Sequence, residues 1–316
     1  MIPTLIIISI IVFVVIELPP GDYLTSYVAN LMAQGEAVDE NFIANLRARY
    51  GLGQPFYIRY FKWIGGFMTG DFGFSFKWGL PVRRLIGERL MYTIVLALFT
   101  LVFTWIVAIP IGIYSATHRY QVGDHIATFI GFIGLATPNF MLALIFMFVG
   151  MRYFDISVGG LFSPDQVDAA WSWAKFVDLL KHVWIPIVVI GTAGTAGLIR
   201  VLRANLLDEL GKPYVVAAQA RGKRGTALLL KYPVRIAINP FISTVGYSLP
   251  ALFSGSTITA IVLSLPTVGP LLLDALLSQD MYLAGSIVQI QSVLTVIGTL
   301  ISDILLAVVD PRIRMS

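Results

Sequence analysis

Six stretches of the chain contain no Asp, Glu, Lys, Arg or His: Met1–Ile16, Leu90–Thr117, Ile126–Met151, Val183–Ile199, Ile236–Leu273 and Met281–Ser302. A helix needs about 20 mostly apolar residues to cross about 30 Å of hydrocarbon. Backbone amides in lipid must be satisfied within the spanning segment, so each stretch reads as a membrane helix. The first and fourth are slightly short, and uncharged flanks with snorkelling side chains extend them. The alternating segments of about ten residues that mark a β-barrel are not seen. The fifth stretch is too long for one crossing, since its 38 residues would make about 57 Å of helix. Pro266, Gly269 and Pro270 interrupt it. It reads as one helix over Ile236–Leu263 and then a broken, re-entrant loop; splitting it into two crossings is the alternative. The expectation is an all-α, polytopic membrane protein with six transmembrane helices. Its parts are a first helix over 1–18, an external segment over 19–89, a five-helix core over 90–310 carrying a cytoplasmic loop at 200–235, and a tail over 311–316.

Composition agrees with this pattern. Of 316 residues, 57% are hydrophobic and 13% charged, whereas soluble domains carry about 25% charged residues. Met1–Ile16 has no basic flank before it and no small-residue cleavage site before Pro19-Pro20-Gly21, so it reads as a retained helix rather than a signal peptide. Cysteine is absent, which excludes disulfides, thiolate catalysis and cysteine metal sites. His118, His125 and His182 are scattered and read as interfacial loop residues, so no metal site is expected.

Basic residues in short loops orient the chain. Between the fourth and fifth stretches lie Arg200, Arg203, Lys212, Arg221, Lys223, Arg224, Lys231 and Arg235, against only Asp208 and Glu209. Arg119, Arg312 and Arg314 fall on the same side, while Arg152, Lys175 and Lys181 fall opposite. The long segment Glu17–Arg89 exceeds the length over which loop charge orients a protein. Both termini are therefore expected in the cytoplasm. A seven-helix chain would place the C-terminus outside.

Asp39–Tyr50 reads as a short amphipathic helix with Asp39 as N-cap and Gly51 as stop. Tyr57, Tyr60, Phe61, Trp63, Phe67, Phe72, Phe74, Phe76 and Trp78 follow as an aromatic stretch suited to the outer membrane interface. Pro110, Pro138, Pro186 and Pro250 should kink their helices. Gly191, Gly194 and Gly197, three residues apart, form a small-residue seam for close helix approach. Asp303, near the inner end of the sixth stretch, is the best candidate for a functional acidic residue within a span; the competing reading is an interfacial carboxylate paired with an arginine such as Arg312. No series of buried carboxylates and histidines supports proton-driven transport.

The loop 200–235 is the most informative part. Asp208–Gln219 is helix-compatible and leads to Gly222, a natural helix stop. Thr226–Lys231 forms a second short helix that Pro233 limits. A hydrophobic helix among so many basic residues needs a partner groove; the competing reading lays it on anionic lipid.

Tyr214-Val-Val-Ala-Ala218-Gln-Ala220-Arg-Gly222, then Lys231-Tyr-Pro-Val-Arg-Ile-Ala-Ile-Asn-Pro240, resembles the EAA loop of ABC importer permeases. Pro20-Gly21-Asp22, Tyr50-Gly-Leu-Gly-Gln-Pro55, Gly70-Asp-Phe-Gly-Phe-Ser75, Thr137-Pro-Asn-Phe140 and Asp310-Pro-Arg312 are similar to the oligopeptide/dipeptide permease family, first-subunit type. The resemblance spans essentially the whole chain. It implies a type I importer permease fold in the bacterial inner membrane. It also implies a second homologous permease, two ABC ATPases that bind ATP and Mg, and a periplasmic or lipid-anchored solute-binding protein. No cofactor in this chain and no nucleic-acid partner are implied. The coupling role falls on Tyr214, Ala218, Ala220, Arg221, Gly222, Lys223, Arg224, Leu228 and Lys231. Asn139, Thr257 and Thr259 are candidates for the solute path. The chain departs from the family pattern at Ala260, where Glu is common, at Pro266-Thr267 in place of Pro-Gly, and at Gln219 and Arg221 before Gly222. Family members carry dipeptides, oligopeptides, nickel chelates or oligosaccharides, so the solute stays open. The chain has no Gly-x-x-x-x-Gly-Lys-Ser/Thr loop, so it is not expected to bind ATP in that manner itself; with no His-Glu-x-x-His or Gly-x-Ser-x-Gly signature either, it is not expected to be an enzyme. An export-type permease or channel is the alternative function.

Overall fold

The computed structural model describes residues 2–17, 54–75, 77–154, 158–167, 169–254 and 256–309, with Asn41, Ala44 and Asn45. Apart from those three residues, which are helical, the expected helix Asp39–Tyr50 lies outside this set, as do the stop at Gly51, Phe76, the tail from Asp310 and most of the external family motifs. The elements in order are α1 (Ile2–Glu17), α2 (Phe56–Met68), β1 (Phe74–Ser75), β2 (Leu80–Pro81), α3 (Val82–Thr117), α4 (Val122–Ala136), α5 (Asn139–Phe154) and a 3-10 turn (Pro164–Gln166). Then follow α6 (Trp173–Leu210), α7 (Pro213–Ala220), α8 (Gly225–Lys231), α9 (Pro233–Ala237), α10 (Asn239–Ser254), α11 (Thr257–Val262), α12 (Val268–Leu277) and α13 (Met281–Val309).

Among the described residues, Val82–Thr117, Trp173–Leu210 and Tyr282–Val309 are long and apolar enough to cross a membrane. A bent pair, α4 and α5, makes a fourth if counted as one broken span. Ile2–Val15 and Val268–Leu277 are shorter apolar helices.

Two expectations need correction. The third stretch is more than kinked at Pro138: α4 and α5 meet at 99°. Thr137, before the proline, is extended at φ −88°, ψ 120°, because the proline ring disfavours a helical predecessor. The fifth stretch is not one helix to Leu263. It stops at Ser254 and restarts at Thr257, with Ser256 in a turn between them, a residue type that weakens a helix interior.

Residues 1–91 and 267–296 form one compact unit, and 92–266 with 297–316 form another. In the first, Val12 and Phe13 of α1 bury against Trp63 of α2, with Ile8, Tyr60, Ile64, Tyr282 and Val288 around them. The Phe13 ring lies 5.1 to 5.6 Å from those of Phe56, Tyr60 and Trp63, and Ser9 shares a 2.7 Å hydrogen bond with Tyr60. The aromatic stretch is therefore divided. Trp63 serves this core, while Tyr57, Phe61 and Trp78 stay exposed and suit an interface.

The β1–β2 hairpin is tied to the chain's later part. Ser75 Oγ donates to Asp280, Lys77 Nζ to Asp274, and Ser286 Oγ to the Phe72 carbonyl at 3.1 Å. Asp280 is fully buried, and that burial raises its pKa. The native state thus favours protonated Asp280, so its stabilising contribution is present on the acid side. It is lost as pH rises from the ordinary aspartate value through the raised one. Asp280→Asn, neutral and of similar shape, should raise the unfolding temperature near neutrality and flatten its pH dependence relative to the native chain. Thermal unfolding in detergent across the acid-to-neutral range checks this; an unchanged pH profile counts against it.

In the second unit, Leu96, Ala143, Val158, Leu161, Phe162 and, on α6, Leu179, Val183, Ile185, Ile187 and Val189 pack with Ala260, Leu263 and Leu265. A loop over 158–172 is clasped onto this core. Gly160 N–H donates to the Leu263 carbonyl at 2.7 Å, and Asp178 accepts from Ser163 N and Oγ at 2.7 and 2.6 Å. Buried Lys175 donates to the carbonyls of Val167 and Ala169 at 3.0 and 2.6 Å and lies over the Phe162 and Trp171 rings. Carbonyl dipoles and ring faces thus offset the charge of a desolvated ammonium.

Candidate functional site

The loop 200–235 begins as a continuation of α6, which runs past the apolar stretch to Leu210. Pro213 opens α7, where a missing amide costs nothing, and the Tyr214 hydroxyl donates to Glu209. At the end of α7, Gly222 N–H donates to the Gln219 carbonyl at 2.9 Å and Lys223 N–H to Ala218 at 3.2 Å. That pair of bonds is a Schellman closure, with Gly222 in the left-handed position. Its φ of +81° agrees. A second left-handed glycine, Gly225 at φ +63°, starts α8. The loop is thus two short helices joined at a glycine-set elbow.

The candidate coupling residues divide into two groups. Val215, Ala218 and Leu228 bury against one another, with Tyr214 and Tyr232 partly buried beside them. So Tyr214, Ala218 and Leu228 hold the two helices together rather than wait for a partner. Ala220, Arg221, Gly222, Lys223, Arg224 and Lys231 are exposed, with Leu230 beside them at 56%. α9 then fastens the assembly to α6: Val234, Ala237 and Phe241 bury with Leu202, Leu206, Ala108 and Ala116. Sequence reasoning missed Val215 and this fastening, although the apolar spacing of Leu202 and Leu206 carries the signal.

Arg203 also changes role. It is not part of the exposed basic set. Its Nε and Nη2 each lie 2.8 Å from an Asp124 oxygen.

The three glycines on α6 differ in their surroundings. A Cβ on Gly191 would lie 2.8 Å from the Phe103 ring, whereas one on Gly194 would meet Thr104 only at 4.0 Å and one on Gly197 would meet nothing. Across α4, a Cβ on Gly134 would lie 3.1 Å from Thr192, and one on Gly131 would be 4.0 Å from Ala196. A crossing of backbone against backbone was not foreseen. A Cβ on Gly298 of α13 would lie 2.9 Å from the Gly246 carbonyl oxygen of α10.

Of the solute-path candidates, Asn139 opens α5 just after the 99° break and is half-buried. Thr257 opens α11 and is also partly exposed. Thr259 is 2% exposed and so faces into the protein's own interior. Asp303 is exposed, and Arg312 lies outside the described residues. Among the described residues no group of three or more His, Asp or Glu side chains is placed to hold a metal.

The family described as the binding-protein-dependent transport system inner membrane component matches residues 108–315, beginning in the last third of α3. The chain belongs to this family. It is accordingly a multi-pass inner membrane permease component of a transport system, and not an enzyme. Full-length relatives agree. The oligopeptide transport system permease protein AppB of Bacillus subtilis is 36% identical over 99% of this chain and 96% of its own length. The dipeptide transport system permease protein DppB of Escherichia coli is 29% identical, with the same shares covered. The glutathione transport system permease protein GsiC of Salmonella paratyphi A is also 29% identical over 99% of this chain and 96% of its own length. The elbow at Gly222 and the Gly246–Gly298 crossing both fall inside the segment that defines this binding-protein-dependent permease family.

Proposed function

We propose that this permease carries peptides or related small solutes, oligosaccharides among them, into the cytoplasm as one of two homologous permeases. Six crossings in a type I importer fold, with both termini cytoplasmic, fit the hydropathy pattern and the skewed loop charge. A binding protein, periplasmic or lipid-anchored, delivers solute from outside. The energy comes from two ATPase subunits, since this chain lacks a phosphate-binding loop of its own. They hold the ATP and Mg.

The observation that carries this reading is the exposed face of Ala220–Lys231. It presents Arg221, Lys223, Arg224, Leu230 and Lys231 on a two-helix elbow whose own core is already filled by Val215, Ala218 and Leu228. A rigid knob with a basic rim suits a groove on a soluble motor better than a lipid surface, because its buried residues fix its shape. Solute would pass beside Asn139 and Thr257, with Thr259 supporting the wall behind.

The chain has no cysteine, so Lys223→Cys introduces a unique thiol. In the assembled transporter it should crosslink to an ATPase subunit, with a yield that changes when ATP is added. Labelling by lipid-borne reagents alone, with no ATPase adduct, would overturn the reading.

A further inference from the structure

The turn between α3 and α4 holds a charge link that the coupling reading does not use. Asp124, in the first turn of α4, is 2% exposed and collects four donors. Ser115 Oγ from the end of α3 is one. The Tyr120 amide at 2.9 Å is another, and Arg203 Nε and Nη2 from α6 supply two more at 2.8 Å each. Tyr120 has a φ of +63°, costly for a residue with a Cβ, and its bond to Asp124 offsets that cost. One carboxylate therefore joins the end of α3, the start of α4 and the last quarter of α6, and its fork-to-fork geometry with arginine sets direction as well as distance.

Two further observations say what this link is for. First, α4 lies along α6 and stands clear of α3 over most of its length. Its far end is the 99° break at Thr137–Pro138. On one side it is separated from α3 by an apolar groove of about 580 Å³, lined by Phe103, Val107 and Pro110 opposite Ile126 and Ile130. Apart from the turn itself, its close approaches are to α6, at Gly131 and Gly134 against Ala196 and Thr192. Second, Arg203 sits on α6 between Leu202 and Leu206, the residues that receive Val234, Ala237 and Phe241 after the elbow.

We infer that the Asp124–Arg203 pair is a transmission link: it makes α4 follow α6 when the loop 200–235 moves, so that α4 carries the Thr137–Pro138 break, with Asn139 beside it, along. This rests on the coupling role given to the loop above. Asp124 and Arg203 are positioning residues, since neither touches solute or nucleotide in this scheme. An apolar or one-sided contact would let α4 slip along α6, because small-residue seams resist separation but not sliding. The bidentate pair resists both.

The test uses the whole reconstituted transporter, with solute uptake and ATP hydrolysis measured on the same vesicles. Asp124→Cys with Arg203→Cys, in a chain with no other thiol, should raise ATP consumed per solute by about tenfold while assembled protein remains. A short thiol-to-thiol crosslinker should then restore the ratio, because a covalent tie replaces the ion pair. A simple folding defect would lower uptake and hydrolysis together and gain nothing from crosslinking. If crosslinks form without restoring the ratio, or the uncrosslinked variant keeps a normal ratio, the inference is overturned. Gly222→Val serves as the reference in the same assay. If it uncouples and the cysteine pair does not, the link falls and the coupling reading stands. If Gly222→Val is also fully coupled, the coupling reading itself falls.

Discussion

Gly222→Val should leave the permease inserted and assembled but unable to convert ATP hydrolysis into uptake. The argument is conformational and not steric, since a Cβ at this position would meet nothing within 4 Å. What the substitution meets is φ +81°. A left-handed conformation costs an ordinary L-residue about 1–2 kcal/mol, and a β-branched one more. A difference of that size changes the occupancy of the native elbow by about 5–30-fold, because the alternatives unwind the closure formed by Gln219, Ala218 and the Lys223 amide. The core of Val215, Ala218 and Leu228 then loses its fixed angle. The exposed basic face would still bind an ATPase subunit but would transmit little of its displacement. Uptake should fall about tenfold or more while basal hydrolysis persists. Gly222→Asn is the control, as asparagine tolerates positive φ, and it should keep most activity. Equal transport by the valine and asparagine variants would remove the elbow from the mechanism.

The second large effect is expected at Gly298. The Cβ of Gly298→Ala would sit 2.9 Å from a backbone oxygen, and the reciprocal Gly246→Ala would sit 3.2 Å from the Thr299 Cα. Backbone cannot rotate aside as a side chain can, so α10 and α13 must separate or shift. Forced overpacking costs about 1–3 kcal/mol and occasionally more. The separation would also disturb the neighbouring bond from Ser302 Oγ to the Ile242 carbonyl, 3.0 Å long. Gly298→Ala should therefore lower the unfolding temperature in detergent and the amount of folded protein recovered from membranes. Gly298→Val should recover little. Gly197→Ala, where a Cβ has open space, should lie within about 0.5 kcal/mol of the native chain. If Gly197→Ala proved as damaging as Gly298→Ala, steric closeness would not explain the result.

These contrasts show where sequence reasoning reaches and where it stops. Charge-free stretches located α3, α6 and α13 because lipid imposes a composition that does not depend on neighbours. Gly222 was legible because a helix end needing positive φ selects glycine locally. The division of Tyr214, Ala218 and Leu228 from Arg221 and Lys223 was not legible, since burial within the loop depends on how α7 folds onto α8. Gly191, Gly194 and Gly197 look equivalent in sequence, and only the position of Phe103 singles out the first. Gly246 and Gly298 lie far apart along the chain, with no motif joining them. Arg203 looked like one more cytoplasmic cation, because its partner Asp124 lies a whole helix away in sequence.

The length of α6 has a mechanical meaning. Its 38 residues extend about 57 Å, nearly twice the roughly 30 Å of hydrocarbon it crosses. Pivoted near its middle, such a rod displaces its tip by about 5 Å for a tilt of about 10°, which is close to one helical turn. A modest push at the Leu210 end of such a rod thus becomes a small, stiff rotation about its middle, the gearing of a crank arm.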